Sequence, residues 1–368
     1  MTATGGPAPA SRHPWHWRAA LLVGLLALAL ILSPFVGPVP IPPRDVAGIV
    51  LEKLTGGTYP ANACPDPVVV AGQMVPCPVL FVILWDARIP ELLLAALVGA
   101  GLALAGGTMQ GVFRNPLGDP YLLGISSGAA LGAAAVFVFG VGSRTTSAEI
   151  ALPVFAFGGA MGTGAIVLLA SRSPRATSET LLLTGVALGA FFSALIALLT
   201  TLRPSAAALP LTFWILGGFA AATWTQVAVV FAAVVAGGAL LSLHGRDLDL
   251  LQLGDESARG LGSDVRVVRE RLLALSALVT AVCVAFSGII GFVGLIAPHV
   301  VRRVQGPSYG RLLPVAAVFG ALFLLIADDV ADSVLGGGGL LPVGVVTSFV
   351  GGPFFLWILY RRGPRGST

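Results

Sequence analysis

The sequence predicts an all-α polytopic membrane protein of about ten transmembrane helices, one short or broken, with a cytoplasmic loop of short helices. Three observations predict it. Hydrophobic residues make up 56% of the 368 and charged residues only 10%, with mean hydropathy +0.92, whereas about a quarter of a soluble domain is charged. Apolar stretches of span length recur along the whole chain. Between Leu243 and Leu272 the apolar pattern stops, and eleven charged residues crowd in, out of 21 basic and 17 acidic in all. They are Arg246, Asp247, Asp249, Asp255, Glu256, Arg259, Asp264, Arg266, Arg269, Glu270 and Arg271.

The elements follow in order. The first span is 19–36. Arg12 and Arg18 precede it as in a secretory leader, but no small-x-small site follows, so it is expected to remain as an uncleaved span. An outer loop of 37–87 comes next, with Pro38, Pro40, Pro42 and Pro43, a short helix over Asp45 to Leu54, then Cys64 and Cys77. Further spans are expected at 89–109, 120–140, 150–170, 180–202, 212–243, 272–290, 291–301, 312–331 and 341–360. The segment 291–301 carries Gly294 and Pro298 and is short for a hydrocarbon core of about 30 Å at about 1.5 Å per residue, so it is the partial span. Such an element is tolerated only where protein shields it. The 48 glycines suit helices that approach closely in lipid.

Orientation comes from the basic residues. With the N-terminus inside, sixteen of the 21 arginines and lysines fall on inner segments. Only Arg44, Lys53, Arg88, Arg144 and Arg203 fall outside. Both termini (1–18 and 363–368) and the charged loop 244–271 are therefore expected in the cytoplasm, flanking one membrane domain over 19–362. A sequence pI near 9.3 does not point to nucleic acid, because the basic residues sit at the ends of apolar runs.

Three stretches carry more specific information. Gln110 to Ala130 joins two spans on the inside; Pro116 and Pro120 stop and restart helices, while Asn115 and Asp119 satisfy freed backbone groups. Gly291 to Arg303 surrounds His299, which a short buried span more often keeps for packing than for chemistry. In the charged loop, Leu250, Leu251, Leu253, Ala258 and Leu261 are spaced for one or two short amphipathic helices ended by Gly254 and Gly262. Such a pattern favours a docking element over a solvated loop.

In this order, these stretches resemble the FecCD-type permeases, the membrane subunits of ABC importers for ferric siderophores, haem and vitamin B12. Arg88-Ile-Pro90, Gly99-Ala-Gly101, Trp214-Ile-Leu-Gly217, Ala327-Asp328, Leu341-Pro-Val-Gly344 and Gly352-Pro-Phe-Phe355 extend the resemblance over about residues 45–362. The resemblance implies ten helices per subunit in a plasma-membrane dimer, homo- or hetero-, an extracytoplasmic binding protein, no cofactor, and a cytoplasmic loop that docks on separate ATPase subunits. On this basis Gly254, Glu256, Ala258 and Gly262 are expected at the ATPase contact. The fifth span is expected to line the path, with Thr184, Gly185, Gly189, Ser193 and Thr200 as its small or weakly polar positions. Arg88, Glu91 and Asp332 occupy positions where the family places basic residues for docking the binding protein. Two acids there imply a basic partner surface or a heterodimer; the alternative is neutralisation by neighbours in the same subunit. The cargo is expected to be an iron-siderophore-like chelate, with haem and cobalamin open.

The chain's single lysine, Lys53, precedes Leu54, so no G-x-x-x-x-G-K-[ST] phosphate loop exists in it. An ion-coupled secondary transporter would need intramembrane ionisable groups, and Asp328 and Asp329, near the outer end of a span, come nearest. A serine hydrolase reading rests on Gly124-Ile-Ser-Ser-Gly128, whose motif needs a strand-to-helix turn. Cys64 and Cys77 share the outer loop and are expected to form a disulfide, worth roughly 2–4 kcal/mol; two free thiols are the alternative. Cys283 reads as a small core residue.

Overall fold

The computed structural model describes residues 15–37, 39, 41–55, 68–70, 73–75, 77–141, 148–173, 177–202, 208–334 and 341–361. Its helices, in order, are α1 (Trp15–Leu32), α2 (Pro43–Thr55), α3 (Cys77–Phe81), α4 (Ile89–Val112), α5 (Ile125–Phe139), α6 (Ala148–Ser171), α7 (Ser178–Leu202), α8 (Ala208–Leu216) and α9 (Trp224–Leu243). They continue with α10 (Gly245–Gln252), α11 (Asp255–Gly260), α12 (Val265–Ser287), α13 (Val293–Gln305), α14 (Tyr309–Val334) and α15 (Val343–Arg361). Among the described residues, six helical stretches are long and apolar enough to cross a membrane. Two shorter apolar helices, α5 and α15, join them. A three-residue antiparallel ribbon pairs Val68–Val70 with Gln73–Val75. Cys64 and the side chain of Cys77 lie outside the described residues, so the expected disulfide does too.

α4 is the centre of the bundle, packed on α9, α12, α13 and α14 and buried along nearly its whole length. Its neighbours come close because glycines face one another. A Cβ on Gly99 would lie 2.2 Å from the Gly320 carbonyl oxygen of α14, and one on Gly320 would lie 2.4 Å from that of Gly99. Gly128 of α5 and Gly159 of α6 meet in the same way. Where lipid removes the hydrophobic drive between helices, such contacts gain dispersion energy that larger residues would forbid. α5, α6 and α7 form a second layer, bridged to α4 by α12, and α1 lies against α14 with most of its surface exposed.

The structure redraws three boundaries. Helix begins at Cys77 and runs through a π-helical turn, Val82–Arg88, into α4, so the second span starts well inside the expected outer loop 37–87. The expected continuous span 212–243 is two helices, α8 and α9, with non-helical backbone over 217–223. α12 starts at Val265, within the expected loop 244–271. The expected short span is α13, of 13 residues, shielded by α4 and α14.

Candidate functional site

Two interruptions of helix meet inside the bundle. Gly217 (φ +73°) ends α8 and Gly288 (φ +67°) ends α12; at both, a side chain is strained. The Gly218 N–H donates to the Ser287 carbonyl at 2.9 Å, and a Cβ on Gly288 would lie 2.1 Å from the Trp214 carbonyl oxygen. The start of α15 closes on the same junction, where a Cβ on Gly344 would lie 2.1 Å from the Leu216 carbonyl oxygen. Irregular backbone at membrane depth persists where it is packed in protein or faces a cavity, and here it does both. A cavity of about 700 Å³ is walled by Phe213, Trp214, the 217–223 segment, Phe286, Ser287 and Leu341–Val343.

At one end of this cavity stand Glu91, Asp328 and Asp332. Glu91 is in the first turn of α4; Asp328 and Asp332 are one turn apart near the end of α14. Arg88 reaches across to bond Asp332, lies 3.5 Å from Glu91 and 3.6 Å from Asp329, and donates to the Val36 carbonyl. Ser33 donates to Asp329. The structure thus brings together Arg88, Glu91 and Asp332, expected as a docking set, but turns them inward. Arg88 and Asp332 are each 7% exposed, so their ion pair is made within the subunit rather than on its surface. Arg88 and Asp332 are thus buried within the subunit, while Glu91, expected beside them for docking, keeps part of its side chain exposed.

The charged loop lies at the other end of α4 and α14. Asp249 accepts the Tyr309 N–H at 2.8 Å and the Ser308 hydroxyl at 3.0 Å, and Gln252 donates to the Gly111 carbonyl at 2.9 Å. Asp255 pairs with Arg269 at 3.2 Å and Arg114 at 3.3 Å, while Glu270 pairs with Arg172 and Arg266. These bonds fix two short helices, α10 and α11, separated by Gly254 (φ +97°) and ended by Gly262 (φ +86°), the positions the pattern predicts. Leu248, Leu251 and Ala258 face inward and are fully buried, while Leu253 (60%) and Leu261 (62%) stand out. Ala258 was expected at a partner contact. It instead packs the loop onto the bundle, and Glu256 and Gly262 remain exposed beside Leu253 and Leu261.

The neighbouring 110–124 turn is built as its residues imply. Asn115 accepts the Leu117 N–H, and Asp119 caps the next turn by accepting the Tyr121 N–H. Burial of the Asp119 carboxyl raises it to about 6, against the hydrogen bond that favours its ionised form. Gln110 donates toward the Gly294 and Leu295 carbonyls and accepts from Arg302 at 3.1 Å, and Arg302 also reaches the Tyr309 hydroxyl. His299 packs edge-on against Phe354. Ser126 follows a 3₁₀ turn rather than a strand, which removes the nucleophile-elbow geometry.

On α7 the expected path residues divide. Thr184, Gly189, Ser193 and Thr200 lie on partly or fully exposed faces, and the hydroxyls of Thr184, Ser193 and Thr200 donate to backbone carbonyls one turn back. Gly185 is buried, and a Cβ there would lie 2.2 Å from the Leu122 carbonyl oxygen, so it is a helix contact rather than a lining residue. The cavity-forming segment 217–223 was missed because hydropathy is continuous across it; the Gly217-Gly218 pair was its signal.

Comparison with known proteins bears directly on this geometry. The FecCD transport family profile matches residues 25–361. The chain is 37% identical over 374 residues to the cobalamin import system permease protein BtuC of Halobacterium salinarum, covering 97% of this chain and 99% of that protein. It is 40% identical over 277 residues to the hemin transport system permease protein HmuU of Yersinia pestis, covering 75% and 83%. A solved structure described as an inward-facing metal-chelate type ABC transporter superposes with a TM-score of 0.76 at 30% identity, covering 94% of this chain and 99% of that one.

Proposed function

This chain belongs to the FecCD transport family and is a permease of the ABC importer type, and from that premise we propose that it carries a metal chelate across the plasma membrane, driven by separate ATPase subunits. The observation that carries the reading is the cavity of about 700 Å³ built from broken helices, with a structured soluble loop at the opposite end of the same helices. Its volume falls in the ligand-sized range of about 300–1,000 Å³. Backbone breaks around it supply the places where the bundle changes shape.

The proposed cargo is an iron-siderophore-like chelate, within a class that includes haem and cobalamin. The relatives named for cobalamin and hemin support the class. α10 and α11 dock on the ATPase through the exposed Leu253, Glu256, Leu261 and Gly262. The exposed α7 face, with Thr184, Gly189, Ser193 and Thr200, meets a second permease subunit along the path. A binding protein delivers cargo to the end that carries Arg88. Both termini are cytoplasmic, since the basic residues gather on that side.

The test is uptake of labelled ferric siderophore, haem and cobalamin by cells expressing the chain with its ATPase and binding protein. Saturable uptake of a chelate, competed by its unlabelled form, is expected. Uptake of none of these, alongside uptake of a small solute, would overturn the cargo class.

A further inference from the structure

The acidic end of the cavity is over-supplied with carboxyl groups. Four carboxyl groups, Glu91, Asp328, Asp329 and Asp332, gather around one guanidinium, that of Arg88. Arg88 contacts Glu91, Asp329 and Asp332, and among the described ion pairs none involves Asp328. Asp328 is 3% exposed, and its Oδ2 has no hydrogen-bond partner. A buried carboxylate oxygen without a partner costs several kcal/mol unless something meets it. The Asp328 carboxyl lies among carboxylates of two helices, in the wall of the cavity of about 700 Å³.

The spacing fits an ion. One oxygen from each of Glu91, Asp328 and Asp332 lies within 4.8 Å of the others. Oxygens at about 2.4 Å on opposite sides of a calcium-sized ion are about 4.8 Å apart, and adjacent ones are closer. All three donors are hard carboxylate oxygens without thiolate or imidazole, which favours calcium, magnesium or manganese over zinc or copper. Magnesium demands a tighter, near-ideal octahedron, which three carboxylates at this spacing from two helices do not preform. Arg88 is already held by Asp332, Asp329 and the Val36 carbonyl, so it balances only part of the charge.

We propose that Glu91, Asp328 and Asp332 bind one hard divalent cation of the calcium or manganese type, clamping the start of α4 to the end of α14 at the cavity edge. Water from the cavity completes its coordination. The ion is a resident of the permease, distinct from any metal inside the cargo, and its binding needs no ATPase, binding protein or transport.

The test uses the purified full chain in detergent, stripped with EDTA and titrated with Mn²⁺ by electron paramagnetic resonance. One saturable Mn²⁺ per chain, displaced by excess Ca²⁺, is expected. Asp328→Asn should weaken binding at least about ten-fold. Glu91→Gln, a change at a partly exposed side chain, should do the same and serves if the buried variant does not fold. Absence of saturable Mn²⁺ binding by the native chain would overturn the proposal, as would full retention of binding in either folded variant. Because the measurement involves this chain alone, a negative result leaves the permease reading standing.

Discussion

Replacing Leu253 and Leu261 together by serine should detach the ATPase while leaving the membrane fold intact. Both side chains are about three-fifths exposed on α10–α11, in a segment whose other leucines, Leu248 and Leu251, are buried. Full burial of a leucine is worth about 1.5–3 kcal/mol. Covering the exposed part of both at an interface is then worth about 2–3.5 kcal/mol, or roughly 30- to 300-fold in the dissociation constant. The fold should hardly notice, because surface changes away from special features cost about 0.5 kcal/mol or less. The assay titrates the partner ATPase against the purified permease in detergent, with thermal unfolding of the permease as the control. Native affinity in the Leu253→Ser/Leu261→Ser variant would refute the assignment of this surface.

Other expectations follow from the same packing. Ala258→Trp should lower the thermal midpoint of the permease itself, by the equivalent of about 1–3 kcal/mol for overpacking, because Ala258 is fully buried; an unchanged midpoint with lost ATPase binding would return it to the contact surface. Gly99→Val should destabilise at least as much, since even a Cβ there collides with the Gly320 carbonyl, and an unaltered midpoint would contradict the close α4–α14 crossing. Gly288→Ala should impair transport more than it lowers expression, because it strains the junction with Trp214; native uptake would deny that junction a role. Asp119, held near 6 in the fold, lies above its usual value near 4. Its contribution to stability is therefore fully present at pH below 4 and lost as pH rises through 6. Asp119→Asn should thus match or exceed the native thermal midpoint at pH 7.5 and keep less of that advantage at pH 5; an advantage that grew on acidification would reverse the sign.

Local chemistry made much of this legible in the sequence. The glycines at 254 and 262 end short helices because their positive φ suits no other residue well, and Asn115 and Asp119 accept the backbone donors their turns leave free. The short α13 was legible from its length and Pro298. What the sequence hid was tertiary. Nothing local distinguishes Ala258, which faces the bundle, from Leu261, which faces away. Nothing in continuous hydropathy marks the break at 217–223, because it is held by Gly288 and Gly344 from distant segments. Glu91 and Asp332 read as exposed charges because their relation to Arg88 and Asp328 exists only once α4 and α14 pack. Gly185 looks like a path residue for the same reason that it is a contact: it is small.

The central claim is that this bundle is a passage powered by a separate ATPase. It is tested most directly by proteoliposomes containing the permease, with and without the ATPase, supplied with a chelate-loaded binding protein. The account predicts chelate accumulation only when ATPase and ATP are both present, and no ATP hydrolysis by the permease alone. Accumulation driven by an ion gradient in vesicles lacking the ATPase would contradict it.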